Sequence, residues 1–259
     1  MSFDDLPMFI RDLRSLPRFL LTLLVILVGY LIIDFWISPA AIGQSITDGH
    51  YQHNAANRDG IGKIYMGREI SHVMGHQGAA WLERSNRARE EKTALLIRKL
   101  PVEPDDVVAD IGAGTGYFSF PVAQRVPHGT VLAVDIQAEM LEIIEARKVE
   151  LGVGNIETVR GSIEDPGLPD ASFDLIFIVD AYHEFSHPYE MGTAMARALK
   201  TGGKLVLIEY RAEDPGVPIK RLHKMSAEQA KKEMAELGLR WVETGNFLPQ
   251  QHFLVFDKP

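Results

Sequence analysis

Apolar and polar residues are arranged along most of the chain in a pattern that predicts strands followed by helices. Continuous apolar runs such as 107–111 and 173–180 are typical of strands covered on both faces of a sheet. Segments with helical spacing of apolar residues follow them, as at 138–151. Strands that alternate with helices in this way predict an α/β fold with a doubly wound, mostly parallel sheet.

The predicted elements fill the chain after residue 101. We predict strands over 107–111, 130–136, 156–161, 173–180 and 204–210, and helices over 116–126, 138–151, 187–200 and 226–239. Two last strand-like runs, 240–247 and 252–256, predict an antiparallel hairpin at the edge of the sheet. Residues 38–65 are predicted to be a linker and 66–100 a helical cap, so that 38–100 precedes a main domain over 101–259.

One segment near the N-terminus departs from this pattern. Residues 19–33 are apolar except for Thr22 and Tyr30, and after an interruption at Asp34 the stretch continues through Phe35 and Trp36 to residue 37. A helix over 19–37 has about the length that spans a bilayer. We therefore expect a short tail, 1–18, followed by a membrane anchor. A signal-like segment is one alternative, because small residues at 38–41 offer a cleavage site, and a buried or dimer-forming helix is the other.

The charges around this segment conflict with the expected location of the domain. The segment is preceded by Arg11, Arg14 and Arg18, and no Lys or Arg follows it until Arg58. This bias predicts that the N-terminus lies in the cytosol and the rest of the chain on the other side of the membrane. The cofactor inferred below is made in the cytosol. We expect a cytosolic domain, with export through a signal-like N-terminus as the alternative.

Overall composition excludes several classes of function. The formal charge of −8 and the absence of a basic run argue against a nucleic-acid partner. The chain contains no cysteine, which excludes disulfides, thiolate catalysis and zinc–thiolate sites. His72 and His76 stand four residues apart on a predicted helix, with His50 and His53 upstream. No H-E-x-x-H motif is present and a metal needs three or four ligands, so we expect no metal.

Glycines cluster directly after the first predicted strand, in the sequence DIGAGTG. The spacing of Gly112, Gly114 and Gly116 is not that of a dinucleotide fingerprint, because Tyr117 stands where that motif needs its last glycine. Asp110 precedes the glycines at the carboxyl end of the strand, where a carboxylate suits a cationic ligand. Asp135 ends the next strand, where an acid can accept hydrogen bonds from ribose hydroxyls.

Four stretches in order resemble the class I S-adenosylmethionine-dependent methyltransferases: VADIGAGTGYFSFPVA, AVDIQAEML, GSIEDPGLPDASFDLIFIVDAYHEF and LKTGGKLVLIEY. The resemblance covers roughly residues 90–257 and implies a Rossmann-like fold with S-adenosylmethionine as cofactor. It implies that residues 110–117, Ala113 and Tyr117 among them, surround the methionine part and that Asp135 and Ile136 lie at the ribose. It also implies that Ser162, Ile163 and Glu164 flank the adenine, with Asp180 near the methionine amine.

The residues after the fourth and fifth strands are the candidates for acceptor chemistry. We predict catalytic roles for Tyr182, His183 and Glu184, with His183 as a base or an orienting group. Helix bracing is the alternative role for Glu184. The predicted substrate-binding residues are His72, His76, Glu209, Tyr210 and His223. Pairing with Arg211 is an equally open role for Glu209.

The function expected from these features is methyl transfer to a small, apolar molecule. A membrane-anchored protein that binds S-adenosylmethionine or S-adenosylhomocysteine without catalysis is the first alternative. A nicotinamide oxidoreductase is the second, and Tyr117 disfavours it. The sequence identifies neither the acceptor nor the oligomeric state.

Overall fold

The computed structural model describes residues 46–259. The predicted anchor at 19–37 lies outside this range. Within the described residues, no helix combines the length and apolar character that a membrane span requires.

A sheet of seven strands forms the centre of the described chain. In chain order its strands are β5 (Val107–Ile111), β6 (Thr130–Asp135), β7 (Ile156–Arg160), β8 (Phe173–Val179), β9 (Leu199–Tyr210), β10 (Arg240–Gly245) and β11 (Gln251–Asp257). Their order across the sheet is β10-β11-β9-β8-β5-β6-β7. The five strands from β7 to β9 are parallel, and β11 is antiparallel to both β9 and β10. The predicted α/β class, parallel sheet and terminal hairpin are confirmed.

Helices on both faces bury the sheet. They are α4 (Ser119–Ala123), α5 (Ala138–Leu151), α6 (Pro188–Ala198) and α7 (Ala227–Glu236), preceded by α1 (Ala79–Leu82), α2 (Arg87–Glu90) and α3 (Thr93–Lys99). The strands with continuous apolar sequences have almost no exposed surface; Leu175, Ile176 and Phe177 of β8 are each 0% exposed. Two apolar cores result, one on each face.

The segment before α1 differs from the prediction in its first part. It forms a four-stranded antiparallel sheet from β1 (Ile46–Asp48), β2 (Tyr51–His53), β3 (Gly60–Tyr65) and β4 (Arg68–Ser71), where we expected a linker and the start of a helix. Met66 and Gly67, at the β3–β4 turn, both have positive φ angles, 49° and 96°, as a tight hairpin turn requires. The later part, 79–99, contains the short helices α1, α2 and α3, in the region where we predict a helical cap.

The order of the parallel strands reverses between β5 and β8. Open α/β sheets bind ligands beyond the carboxyl ends of the strands at such a point. The loops after β5, β6, β8 and β9 therefore face one crevice, and β4 closes its side through contacts with the loop after β8.

Candidate functional site

The glycine loop after β5 brings the backbone close to neighbouring segments. Gly112, Gly114 and Gly116 have φ angles of +73°, +55° and +79°, in the left-handed region that favours glycine. A Cβ atom added to Gly114 would lie 2.7 Å from Cδ1 of Leu82. A side chain at Gly114 would therefore strain the loop and displace its neighbour.

Asp135 holds the loop and faces the crevice at the end of β6. Its Oδ2 accepts a hydrogen bond of 2.9 Å from the Gly114 N–H, and its Oδ1 accepts one of 2.9 Å from the Gln137 N–H. Burial raises the pKa of the Asp135 carboxyl, although these N–H groups oppose the increase. Each carboxylate oxygen has a further lone pair, so the group can accept from the two hydroxyls of a ribose.

Asp110 lies beneath the loop instead of facing the crevice. Its side chain is among the buried polar groups, and its Oδ2 accepts a 2.6 Å hydrogen bond from the Ser119 hydroxyl. Burial raises the pKa of Asp110 to about 7, and the nearby Asp135 carboxylate adds to the increase. The structure therefore supports a role for Asp110 in holding the loop and the start of α4.

Asp180, directly after β8, has a backbone conformation that is rare for its residue type and a buried side chain that is only partly hydrogen-bonded. Its φ of +51° is rare for a residue other than glycine. Gln251 donates a 2.7 Å hydrogen bond to Oδ2, whereas the buried Oδ1 has no hydrogen-bond partner among the described residues. Burial, with Glu91 and Glu209 nearby, raises the pKa of Asp180 well above its ordinary value. An orphaned buried oxygen that lines the crevice points to a donor supplied by a ligand.

The crevice is a cavity of about 550 Å³. On its cofactor side the predicted residues Gly112, Gly114, Asp135, Ile136, Ile163 and Asp180 all line it. The predicted residues Ala113, Gly116, Tyr117, Ser162 and Glu164 do not line it. Ser162 instead accepts hydrogen bonds from the Glu164 and Asp165 N–H groups, which shapes the loop after β7. Of the residues predicted around the cofactor, some therefore line the cavity and the others lie outside its wall.

The opposite side of the cavity carries a group that we call the acceptor cluster: His183, Glu184, Glu209 and His223. His183 Nδ1 lies 2.6 Å from Glu209 Oε2, and His183 Nε2 lies 3.2 Å from His223 Nδ1. Glu184 Oε1 lies 3.7 Å from His183 Nε2 and 3.4 Å from His223 Nδ1. The loop after β8 supplies His183 and Glu184, the end of β9 supplies Glu209, and the loop after β9 supplies His223. His183, Glu184 and His223 line the cavity.

Glu209 determines how His183 presents its ring. The carboxylate accepts from the backbone N–H of His183 through Oε1 at 3.1 Å, and its Oε2 accepts from Nδ1. The ring proton therefore lies on Nδ1, and the lone pair on Nε2 faces Nδ1 of His223. Burial lowers the pKa of His183, but the Glu209 carboxylate outweighs this effect and the net pKa is raised. Glu209 therefore supports His183 and does not pair with Arg211, whose guanidinium donates to the Leu248 carbonyl.

The remaining predicted residues occupy different positions. Tyr210 and His72 line the cavity. His76 is part of a single 3-10 turn, His76–Gly78, so it shares no helix face with His72, which directly follows β4. Tyr182 is 0% exposed, lies against Phe185 and the Arg68 guanidinium, and is not part of the cavity wall. This placement gives Tyr182 a packing role, and its predicted catalytic role has no contact to support it.

Several residues of the wall had no distinctive sequence signal. Arg87 is buried, its guanidinium pairs with Glu91 at 3.0 Å, and it lines the cavity. Gln137 bridges to the segment above, because its Oε1 accepts from the His76 N–H at 2.7 Å and its Nε2 donates to the Met74 carbonyl at 3.0 Å. An arginine in a helix before the main domain resembles a surface residue, and only the fold brings it to the site.

The residues present fit S-adenosylmethionine. The glycine loop permits close approach, Asp135 can accept from ribose hydroxyls, and the orphaned Asp180 oxygen suits the methionine ammonium group. Carboxylates at both positions also suit a cation. Fold and site together define a class I S-adenosylmethionine-dependent methyltransferase.

Comparisons with known proteins agree with this class. Residues 108–203 match the methyltransferase domain family. The uncharacterized methyltransferase YcgJ of Bacillus subtilis is 33% identical over 129 residues, 49% of this chain and 50% of that protein. The ubiquinone/menaquinone biosynthesis C-methyltransferase UbiE of Ectopseudomonas mendocina is 34% identical over 120 residues, 46% of each. Each match thus spans about half of the relative.

A solved structure supports the same fold. The S-adenosylmethionine-dependent methyltransferase from Aquifex aeolicus has a TM-score of 0.68 at 20% identity, with 72% of this chain and all of that chain covered. The matched domain is therefore that of a class I methyltransferase, whose cofactor is S-adenosylmethionine.

Proposed function

We propose that the protein transfers the methyl group of S-adenosylmethionine to a small molecule with an ionisable hydroxyl group on an apolar body. One observation carries this proposal: a single cavity joins the cofactor wall to the acceptor cluster. Apolar side chains form much of its wall, including Ile61, Val73, Phe185, Pro218 and Ile219. A mostly apolar pocket with a few convergent polar groups is typical of small-molecule sites.

The transfer itself is an in-line displacement. A lone pair of the acceptor attacks the methyl carbon, the carbon–sulfur bond breaks, and its electron pair stays on sulfur to give S-adenosylhomocysteine. The protein contributes mainly by aligning the two reactants, an effect that is worth up to about 7–11 kcal/mol in well-oriented systems. Asp135, Asp180 and the glycine loop fix the donor, and the apolar wall and the acceptor cluster fix the acceptor.

Loss of a proton explains why the acceptor cluster is needed. A hydroxyl is a poor nucleophile until its proton is removed, whereas an ionised ring hydroxyl makes its own oxygen or the adjacent ring carbon nucleophilic. The buried His183–Glu209 pair holds an imidazole lone pair at the cavity wall, and Glu184 and His223 add polar contacts beside it. We assign the binding and ionisation of the acceptor hydroxyl to this cluster.

A transfer assay tests the proposal. The full chain is incubated with S-adenosylmethionine and a panel of phenols, enols and quinols, and S-adenosylhomocysteine and methylated product are measured together. We expect product with one acceptor class, and a loss of at least about 100-fold in kcat/KM for His183→Ala with unchanged cofactor affinity. Tight cofactor binding with no transfer to any acceptor would favour the non-catalytic alternative.

We also propose that residues 19–37 anchor the protein in a membrane with the domain on the cytosolic side. The apolar length of the segment and the cytosolic supply of cofactor support this arrangement, and the arginine bias opposes the orientation. A topology reporter fused to the C-terminus is expected to be active in the cytosol. Activity on the outside alone would contradict the orientation.

A further inference from the structure

Three atoms with metal-binding chemistry converge in the acceptor cluster. They are Nε2 of His183, Nδ1 of His223 and Oε1 of Glu184, separated by 3.2, 3.4 and 3.7 Å. No other group of three or more histidine and acidic side chains that could share a metal ion occurs within residues 46–259. Two imidazole nitrogens and one carboxylate oxygen form a common ligand set for divalent transition metals.

The distances between the three ligand atoms match those expected around a single metal ion. A circle through points with these separations has a radius of about 2.0 Å, and zinc binds histidine nitrogen and carboxylate oxygen at about 2.0–2.2 Å. An ion at about 2.1 Å from each atom therefore lies less than about 1 Å out of their plane. The ligand atoms need no rearrangement to accept it.

Each of two ligands is oriented by a partner outside the set of three. Glu209 accepts from Nδ1 of His183 at 2.6 Å, which leaves the lone pair on Nε2. The Met74 N–H donates to Oε2 of Glu184 at 3.0 Å, which leaves Oε1 facing the two histidines. Carboxylate and backbone partners of this kind fix the tautomer and direction of metal ligands.

The charges of the cluster also favour a cation. Glu184 and Glu209 place two carboxylates beside two imidazoles, with side-chain exposures of 15% and 1%. Nearby cations have other acidic partners: Arg68 pairs with Glu233 at 2.8 Å and Lys220 with Asp59 at 2.8 Å. A divalent ion would neutralise the two carboxylates without disturbing these pairs.

We propose that His183, Glu184 and His223 bind a divalent first-row transition metal ion such as Zn²⁺, with Glu209 as the residue that positions His183. Nitrogen ligands favour such an ion over Mg²⁺ or Ca²⁺, which prefer oxygen. This site differs from our sequence-based expectation of no metal, which considered His72 and His76. Three protein ligands leave coordination positions open toward the cavity.

The ion gives the proposed function a specific mechanism, and this part of the inference rests on that function. A bound ion would lower the pKa of the acceptor's hydroxyl group and hold its oxygen, and the hydroxyl proton would pass to solvent. The acceptor is then held at a fixed distance from the methyl donor. Binding of the ion itself requires neither cofactor nor acceptor, so it is tested separately.

Titration with Co²⁺ and Zn²⁺ tests the site directly. The full chain, without an affinity tag and freed of metal by a chelator, is titrated with Co²⁺ while its visible ligand-field bands are recorded, and Zn²⁺ affinity follows from competition. We expect one ion per chain, and a change in the bands when acetohydroxamate is added as an oxygen-donor probe. Absence of stoichiometric binding would overturn the proposed site. Co²⁺ bands that do not change when acetohydroxamate is added would overturn the claim that coordination positions are open to the cavity.

Variants locate the ion. We expect Glu209→Gln to weaken Zn²⁺ binding by about 10–100-fold, as changes in residues behind a ligand do, and His223→Ala to weaken it further. His76→Ala is the matched control, because its imidazole lies 3.8 Å from Glu139 on the surface and any adventitious histidine–carboxylate binding would involve it. Equal losses in the control and in His223→Ala overturn the assignment.

Two measurements separate this inference from the proposed function. Thermal unfolding and S-adenosylmethionine titration of each variant show whether the fold and the cofactor site are intact. Full methyl transfer by metal-free protein would overturn the role of the ion and leave the proposed function standing. A single site-bound ion with no transfer to any acceptor would support the metal site and contradict the proposed function.

Discussion

Replacing Asp110 with asparagine tests how strongly a buried carboxyl group makes the fold sensitive to pH. Asp110 is 3% exposed, and its burial under the glycine loop raises its pKa to about 7. Asparagine keeps an oxygen that can accept from the Ser119 hydroxyl and cannot ionise. The variant therefore changes the charge behaviour of the site with little change in shape.

The direction of the effect follows from the difference between the two states. An aspartate in the unfolded chain has a pKa of about 3.9, so the folded protein binds a proton more tightly than the unfolded chain does. The stabilisation is fully present below about pH 4 and is lost as pH rises through the folded pKa of about 7. At about 1.4 kcal/mol per pKa unit, wild type loses about 2–3 kcal/mol between pH 5 and pH 8 from this group.

Guanidinium unfolding of the cofactor-free protein at several pH values measures this loss. We expect the free energy of unfolding of Asp110→Asn, relative to wild type, to rise by about 2–3 kcal/mol between pH 5 and pH 8. Asp105→Asn, an exposed site with the same change in charge, is the control. A difference between variant and wild type that stays constant over this range would refute the raised pKa of Asp110.

Three further substitutions test the cofactor wall and the acceptor side. Gly114→Ala should reduce S-adenosylmethionine affinity at least about tenfold in calorimetry, because its φ of +55° disfavours a side chain and the added Cβ has no room. Asp135→Asn should weaken the cofactor by about 10–100-fold through the loss of charged hydrogen bonds, and an unchanged affinity would place the ribose elsewhere. Tyr182→Phe should leave kcat/KM within about twofold because the ring packs outside the cavity, whereas a large fall would restore its predicted catalytic role.

The parts of the fold that sequence predicts best are those determined by local pattern. The run 107–111 and the helix 138–151 have the predicted bounds, because a continuous apolar strand and a long run of helix-favouring residues carry their own signals. Gly114 and Asp135 were also identifiable, since a glycine loop and an acid at a strand end have fixed positions in such a sheet.

The four-stranded sheet was harder to predict because its strands are only three to six residues long. In β4 the spacing of Ile70 and the following apolar residues also suits a helix, and only pairing with β3 decides between them. The positive φ at Met66 was not readable, since methionine rarely adopts it.

The acceptor cluster illustrates a similar limit. The sequence predicts His183, Glu184 and Glu209 at the carboxyl ends of two strands. Because these strands, β8 and β9, are parallel neighbours, the three side chains lie close together. His223 reaches them only because residues 211–225 fold back, with Ala212 and Met225 joined by a 3.2 Å backbone hydrogen bond. Loop closure of this kind has no local periodicity, so the ligand set was not apparent from spacing.

Two of the four residues of the acceptor cluster lie outside the segment shared with the methyltransferase family. That segment ends at residue 203, before Glu209 and His223. Before the start of that segment, Arg68 and Ser71 of β4 donate hydrogen bonds of 3.2 and 3.3 Å to the His183 carbonyl. These bonds hold the loop after β8 against the four-stranded sheet. The family match therefore covers the methyl-donor side but only part of the acceptor side, which also includes residues of 46–82 and 209–225.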